Sequence, residues 1–146
     1  MKKFITFALV AILAIGSACA KDRVTRDINQ LPAPARALVQ KYFSSSPVSH
    51  IKIDSKTFGG ADYDVILNNG IEIEFDKNGA WKEIDCGGYT VPAQLILQPI
   101  RTYIAKNYKG KKIVKIEIET NKYELRLSDG TELEFDRAGK FLREDH

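Results

Sequence analysis

Histidine and cysteine are nearly missing from this chain. Its 146 residues hold two of each, with one Met and one Trp. That stock cannot supply a Cys/His metal site or a disulfide framework. Long apolar runs are missing too: none reaches the roughly 20 residues that a membrane-spanning helix needs. Neither sign of charge dominates, since 22 Lys+Arg stand against 19 Asp+Glu, a formal net charge of +3. What is present is enough for a core. With 44% apolar and 10% aromatic residues, the composition is that of a folded domain rather than a disordered chain.

The first twenty residues read as an export signal. Lys2 and Lys3 form a basic start, and Phe4 to Ile15 is an apolar run of signal length. Two processing routes fit. Ala18-Cys19-Ala20 matches an A-x-A cleavage site and leaves Lys21 first. Gly16-Ser17-Ala18-Cys19 resembles a lipobox, in which Cys19 becomes a lipid anchor. Both place the protein outside the cytosol, in the periplasm or cell envelope. Removing Lys2 and Lys3 lowers the net charge from +3 to +1. A near-neutral mature chain lacks the basic footprint of a nucleic-acid binder. Cys86 is then the one cysteine left after cleavage at Ala20. It reads either as a small buried apolar residue or as a thiol free to pair between chains.

The chain repeats itself. Residues 63–79 and 123–139 align at a constant offset of 60, with Tyr63/Tyr123, Leu67/Leu127, Gly70/Gly130, Glu72/Glu132, Glu74/Glu134, Phe75/Phe135, Asp76/Asp136 and Gly79/Gly139 identical. Trp81 corresponds to Phe141, and Pro32 to Pro92. Between these ends Ile51 and Ile53 match Ile116 and Ile118 at an offset of 65. The second copy thus carries about five more residues in its helix region, and the first about five more around Phe58-Gly59-Gly60.

Each copy predicts one helix and four strands. Pro32 and Pro34 suit a first helical turn, and Ala35, Leu38, Val39 and Tyr42 form one apolar stripe. Pro92 opens the second helix, where Leu95, Ile96, Ile100, Tyr103, Ile104 and Tyr108 supply the stripe. Pro99 inside that pattern predicts a kink or a restart. Strict alternation follows in Ile51/Ile53, Tyr63/Val65/Leu67 and Ile71/Ile73/Phe75, and again in Val114/Ile116/Ile118, Tyr123/Leu125/Leu127 and Leu133/Phe135. Asn69-Gly70 and Asp129-Gly130 predict two-residue hairpin turns; Gly79 and Gly139 predict a left-handed glycine at a bulge. Pairing across those loops sets Trp81 by Phe75 and Phe141 by Phe135. The predicted architecture is α+β: a tandem α-β-β-β-β sharing one antiparallel sheet of about eight strands, both helices on one face. Residues 1–20 are the signal, 21–30 a linker, 31–86 the first repeat and 87–146 the second.

These residues resemble a known family. The pattern Leu31-Pro32…Tyr42-Phe43, Tyr63-Asp64-Val65…Asn69-Gly70-x-Glu72-Ile73-Glu74-Phe75-Asp76, Val91-Pro92…Asn107-Tyr108 and Tyr123-Glu124-Leu125…Glu132-Leu133-Glu134-Phe135-Asp136 is similar to that of the PepSY-like, putative beta-lactamase-inhibitor-like proteins, small exported bacterial proteins. The resemblance covers about Leu31 to Asp145. It implies a fold like that of the beta-lactamase inhibitor protein, whose concave sheet face and loops grip a protein partner. It implies no inhibitory activity, because fold does not carry function.

Candidate contact residues are Glu72, Glu74, Asp76, Glu132, Glu134 and Asp136, on the sheet face opposite the apolar rows, and Tyr89 in the link between copies. The acids can floor a site for a basic peptide, a cationic protein surface or a cation; equally, they are what a solvated sheet face carries. They lie on an open face with no nucleophile or cleft signal, so no catalytic residue, cofactor or metal site is expected. Asp76-Lys77-Asn78-Gly79 has a faint calcium-loop look but lacks the later oxygen ligands and reads as a hairpin turn. Lys106, Lys109, Lys111, Lys112 and Lys115 read as a solvated basic cluster after the second helix, or as an attraction to anionic headgroups. The functional expectation is an exported, non-enzymatic module that binds a protein or peptide partner. The alternative is a structural or lipid-anchored surface component.

Overall fold

The described residues form nine strands, one more than the sequence predicts. The computed structural model of the chain describes residues 22–56 and 59–145. The export signal with Cys19, and Phe58, lie outside the described residues. The elements are β1 (Asp22–Thr25), α1 (Ala33–Tyr42), β2 (Val48–Ser55), β3 (Ala61–Leu67), β4 (Glu72–Phe75), β5 (Trp81–Asp85), α2 (Gln98–Asn107), β6 (Ile113–Ile118), β7 (Lys122–Leu127), β8 (Glu132–Asp136) and β9 (Phe141–Asp145). Short 3-10 turns at Ile28–Gln30 and Ala93–Leu95 precede the two helices. All nine strands form one antiparallel sheet in sequence order. The segment 21–30, read from sequence as a linker, therefore supplies β1 and a capped turn.

One row of side chains crosses the sheet. Ile51, Val65, Ile73, Ile84, Ile116, Leu125 and Leu133 are successive cross-strand partners on β2 to β8. Each is at most 1% exposed. Burying each such side chain contributes about 1.5–3 kcal/mol. Ala35 and Val39 of α1, and Ile100 and Ile104 of α2, join this row in a single core cluster. Both helices thus cover the same sheet face.

The helices begin where prolines permit. Pro34 and Pro99 each sit in the first turn of their helix, where no backbone donor is lost. Pro99 therefore marks a restart after the 3-10 turn rather than a kink. The match of Pro32 with Pro92 does not survive: Pro32 caps α1, whereas Pro92 caps the 3-10 turn. The position matching Pro92 is Asp27, cap of the earlier 3-10 turn, at an offset of 65. The five extra residues of the second half hence lie before its helix region, in the link after β5. The first half's extra residues fall at 56–60, between β2 and β3.

Hairpin chemistry departs from one expectation. Asn69-Gly70 and Asp129-Gly130 do not form two-residue turns, which need positive φ at the first central residue. Among the described residues only glycines have positive φ. Instead Gly70 N–H donates to the Leu67 carbonyl, and Leu67 N–H to the Ile71 carbonyl. This is a three-residue loop with its glycine at a bulge, and the same bonds recur at Gly79, Gly130 and Gly139. At Gly79 (φ +83°) a Cβ would also lie 2.9 Å from Pro32 Cβ, so the glycine lets the hairpin dock on α1.

Both sheet edges carry an inward charge. On β1, Arg23 pairs with Ile53 and reaches Gln30 Oε1 at 3.2 Å. On β9, Glu144 pairs with Leu133 and accepts from the Tyr108 hydroxyl at 3.0 Å. Glu144 stands where the first half has Ile84, which continues the apolar row into β6. A buried-side charge on an edge strand blocks addition of another strand. Glu144→Ile should therefore remove the block and produce dimers or larger species by light scattering, whereas the wild-type chain elutes as a smaller species at the same concentration.

Candidate functional site

The reverse of the sheet carries a second row. Lys52, Asp64, Glu74, Glu83, Glu117, Glu124, Glu134 and Arg143 are successive cross-strand partners on β2 to β9. Six carboxylates stand side by side between two terminal cations. At one strand spacing each they span about 24 Å. No described element covers this face. The row follows from the apolar one, because neighbouring residues on a strand point to opposite faces.

Like charges placed directly opposite repel, and three ammonium groups answer most of the row. Lys82 Nζ lies 3.4 Å from Glu74 and 3.7 Å from Asp62. Lys115 Nζ lies 2.9 Å from Glu83 and 3.7 Å from Asp85. Lys122 Nζ lies 2.6 Å from Glu124, 2.7 Å from Glu134 and 3.6 Å from Glu119. Arg143 adds bonds of 2.8 and 3.0 Å to Glu134. Lys115 is only 2% exposed, so it does not belong to the solvated basic cluster predicted after α2. Lys111 of that cluster pairs with Asp129 at 3.7 Å.

Protonation follows this distribution of cations. Burial pushes the Glu117 carboxyl up to about 7, helped by the charges of Glu83, Glu124 and Glu119. Among the described residues no ion pair reaches Glu117. Burial, then Glu74, pushes Asp64 up to about 6, against the pull of Lys52. Glu83 and Glu124 are raised by burial despite Lys115 and Lys122. At Glu134 burial is outweighed by Arg143 and Lys122, which hold its carboxyl below the ordinary value.

Carboxylate oxygens of Glu117, Glu119 and Glu124 lie within 4.8 Å of one another. The cation at this cluster is the chain's own: Lys122 pairs with Glu119 and Glu124 and, burial notwithstanding, these carboxylates and Glu134 keep its ammonium protonated beyond the usual range. Glu124 Oε1 has no hydrogen bond of good geometry beside that ion pair. Two of the three carboxylates thus share the chain's own ammonium.

The sequence-derived residues divide. Glu74 and Glu134 belong to the central row. Glu72 and Glu132 lie in the next row, with Asp85, Lys115 and Arg126 between them; Glu132 accepts from Arg126 at 3.1 Å. Asp76 and Asp136 serve the hairpin loops, although Asp136 also faces Lys122 across the strands. Asp76 Oδ1 accepts from the Asn78 and Ala80 N–H groups at 2.8 and 3.0 Å, and Asp136 Oδ1 from Ala138 and Lys140 at 2.9 Å each. These bonds tie down the hairpin loops, as the turn reading of residues 76–79 expects. Tyr89, 56% exposed, stands in the link between β5 and α2. Asp64, Glu83, Glu117 and Glu124 were missed. Their signal was present as the polar partners of the alternating strands, but seeing one row needs the pairing of β5 with β6.

Cys86 is 1% exposed and burial pushes its thiol up to about 12. A buried, protonated thiol is a poor nucleophile, which favours the packing role over pairing between chains.

A family model described as PepSY-like, putative beta-lactamase-inhibitor-like, matches residues 61–143. The chain is also similar to solved structures. A putative periplasmic protein of unknown function from Bacteroides vulgatus ATCC 8482 is 46% identical, with a TM-score of 0.80, covering 86% of this chain and 99% of that one. A protein from Bacteroides thetaiotaomicron, described as putative calcium-regulated and periplasmic, is 36% identical with a TM-score of 0.80, over 86% and 97% of the two chains. A second putative periplasmic protein from Bacteroides vulgatus is 34% identical with a TM-score of 0.81, over 88% and 100%. Comparison with curated proteins gives no match.

Lys122→Met should expose the cost of the row. It leaves Glu124 without its ammonium, while Arg143 still holds Glu134. Stability should fall by about 3 kcal/mol, the lower end for breaking a buried pair. Denaturant titration should show a larger loss at pH 8 than at pH 5, where the raised Glu124 carboxyl can take up a proton.

Proposed function

We propose that this chain, which belongs to the PepSY-like, putative beta-lactamase-inhibitor-like family, is an exported, non-enzymatic binding module of the cell envelope. It takes a protein or peptide partner on the open sheet face. The observation that carries this reading is the unbroken run of six cross-strand carboxylates from Asp64 to Glu134 on an uncovered face. A partner with a cationic patch complements that run, and charge complementarity supplies specificity and fast association. The periplasmic description of the similar structures supports the location. Against catalysis stands the buried thiol of Cys86, a poor nucleophile. Tyr89, an exposed aromatic in the link between β5 and α2, suits a partner contact.

The test uses the mature protein as bait for solubilised envelope proteins. Capture should weaken steeply as salt rises through 0.5 M, since exposed charges are screened. It should be lost on a Glu74→Gln, Glu83→Gln, Glu117→Gln variant whose circular dichroism matches wild type. An unchanged set of partners on that variant would remove the acidic face from the reading.

The second reading, a lipid-anchored surface component without a soluble ligand, is favoured by Gly16-Ser17-Ala18-Cys19. Mass spectrometry of the mature N-terminus decides it. A diacyl or triacyl mass on Cys19 supports anchoring, and a free Lys21 amine excludes it.

A further inference from the structure

The two halves of the sheet meet at β5 and β6 through only three facing pairs: Glu83 with Glu117, Ile84 with Ile116, and Asp85 with Lys115. Flanking backbone bonds extend the seam, from Cys86 N–H to the Val114 carbonyl and from Val91 N–H to the Ile113 carbonyl, both 2.8 Å. The centre is apolar and fully buried. One flank is an ion pair, Lys115 with Asp85 and Glu83. The other sets two carboxylates directly opposite each other, where like charges work against pairing.

Glu117 meets acid from both sides. Across β5 it faces Glu83, with Asp85 beyond; across β7 it faces Glu124; on its own strand's extension lies Glu119. The nearby cations sit closest to other acids: Lys115 to Glu83 and Asp85, from where its charge offsets only part of the repulsion at Glu117, and Lys122 to Glu124, Glu134 and Glu119. A carboxylic acid at Glu117 removes the repulsion and supplies a donor at a position surrounded by acceptors. A carboxylate there leaves the seam to its apolar pair and the Lys115 flank.

We infer that the β5–β6 seam is a proton-sensitive joint, tight when Glu117 is protonated and loosened when it ionises. The direction follows from linkage. Glu117 titrates at about 7 in the fold and near 4.5 when unfolded, so between these values the folded chain binds more protons. The stabilisation is complete below the unfolded value and is lost as pH rises through 7. Because the repulsion lies on the seam, the loss falls on the bonds that join the two halves, not evenly on the sheet. The joint is independent of any ligand, so it stands or falls separately from the binding reading.

Hydrogen exchange on the intact mature protein tests it. Protection factors, corrected for the intrinsic pH dependence of exchange, are compared at pH 6 and pH 8 for the Cys86 and Val91 amides and for amides paired between β8 and β9, where Glu134 faces Arg143 and stays ionised at both values. Seam protection should fall roughly tenfold more than β8–β9 protection, the effect of one pKa unit of coupling. Glu117→Gln, neutral and of the same shape, should abolish the difference, and Glu83→Gln should reduce it from the other strand. Seam protection that is equal at the two pH values, or a fall shared equally by β8–β9, overturns the inference. So does an unchanged seam response in both variants.

Discussion

The seven-residue apolar row from Ile51 to Leu133 is the constraint on which the sheet depends. It fixes register, because a one-residue slip on any strand exchanges its two faces. For β6 such a slip would carry Glu117 into the position of Ile116, beneath the helices. Burying an unpaired carboxylate there costs far more than one side chain's apolar burial gains. The apolar row and the acidic row are therefore two consequences of one register. The repulsion on the open face is tolerated because the other face leaves the strands no alternative pairing.

The same row explains where the sheet stops. In the first half the fourth strand ends the hairpins with Ile84, and this side chain has a neighbour to pack against, Ile116. In the second half the corresponding residue is Glu144, turned toward Tyr108 rather than into a further strand. At the other margin β1 lies against β2 as β5 lies against β6, but it offers Thr25 opposite Ile51 and Arg23 opposite Ile53. One side chain in each edge strand thus decides between continuation and termination. The count of nine strands follows, with eight from the two helix-led halves and one from the segment that closes β2.

Much of this was legible in the sequence. Alternation located β2, β3, β4, β6, β7 and β8, pairing across the loops at Gly79 and Gly139 placed β5 and β9, the apolar stripes located both helices, and the glycine signals located the hairpins at Gly70, Gly79, Gly130 and Gly139. Strand β1 was not legible, because Asp22-Arg23-Val24-Thr25 is short, mostly exposed and without a buried face of its own; it is a strand only because β2 offers an edge. The acidic residues were legible as a pattern but not as a row. Glu74 and Glu134 were found because the internal similarity drew attention to them, and the same similarity drew in Asp76 and Asp136. Those two recur because each accepts from two N–H groups of its own glycine loop. Recurrence marks what folding requires as readily as what a partner would touch. Glu83, Glu117 and Glu124 have no such shared motif, and only strand pairing across the link brings them together.

That distinction bears on how the open face can be selective. Its outer carboxylates are already answered: Glu134 by Arg143 and Lys122, Glu74 by Lys82. A cation arriving there must displace a partner held in place and gains little. Glu117 and Asp64 carry no ion pair among the described residues, though Lys52 faces Asp64 across the strands, and both carboxyls keep their protons to higher pH than usual. On the binding reading, a cationic group placed on either position favours the ionised form and relieves a repulsion that the fold already carries. On the same reading, affinity concentrates at two points, three strands and about 14 Å apart, rather than spreading over all the acids. Two points at fixed separation can select by the spacing of charges in a partner, which a uniformly acidic surface cannot do.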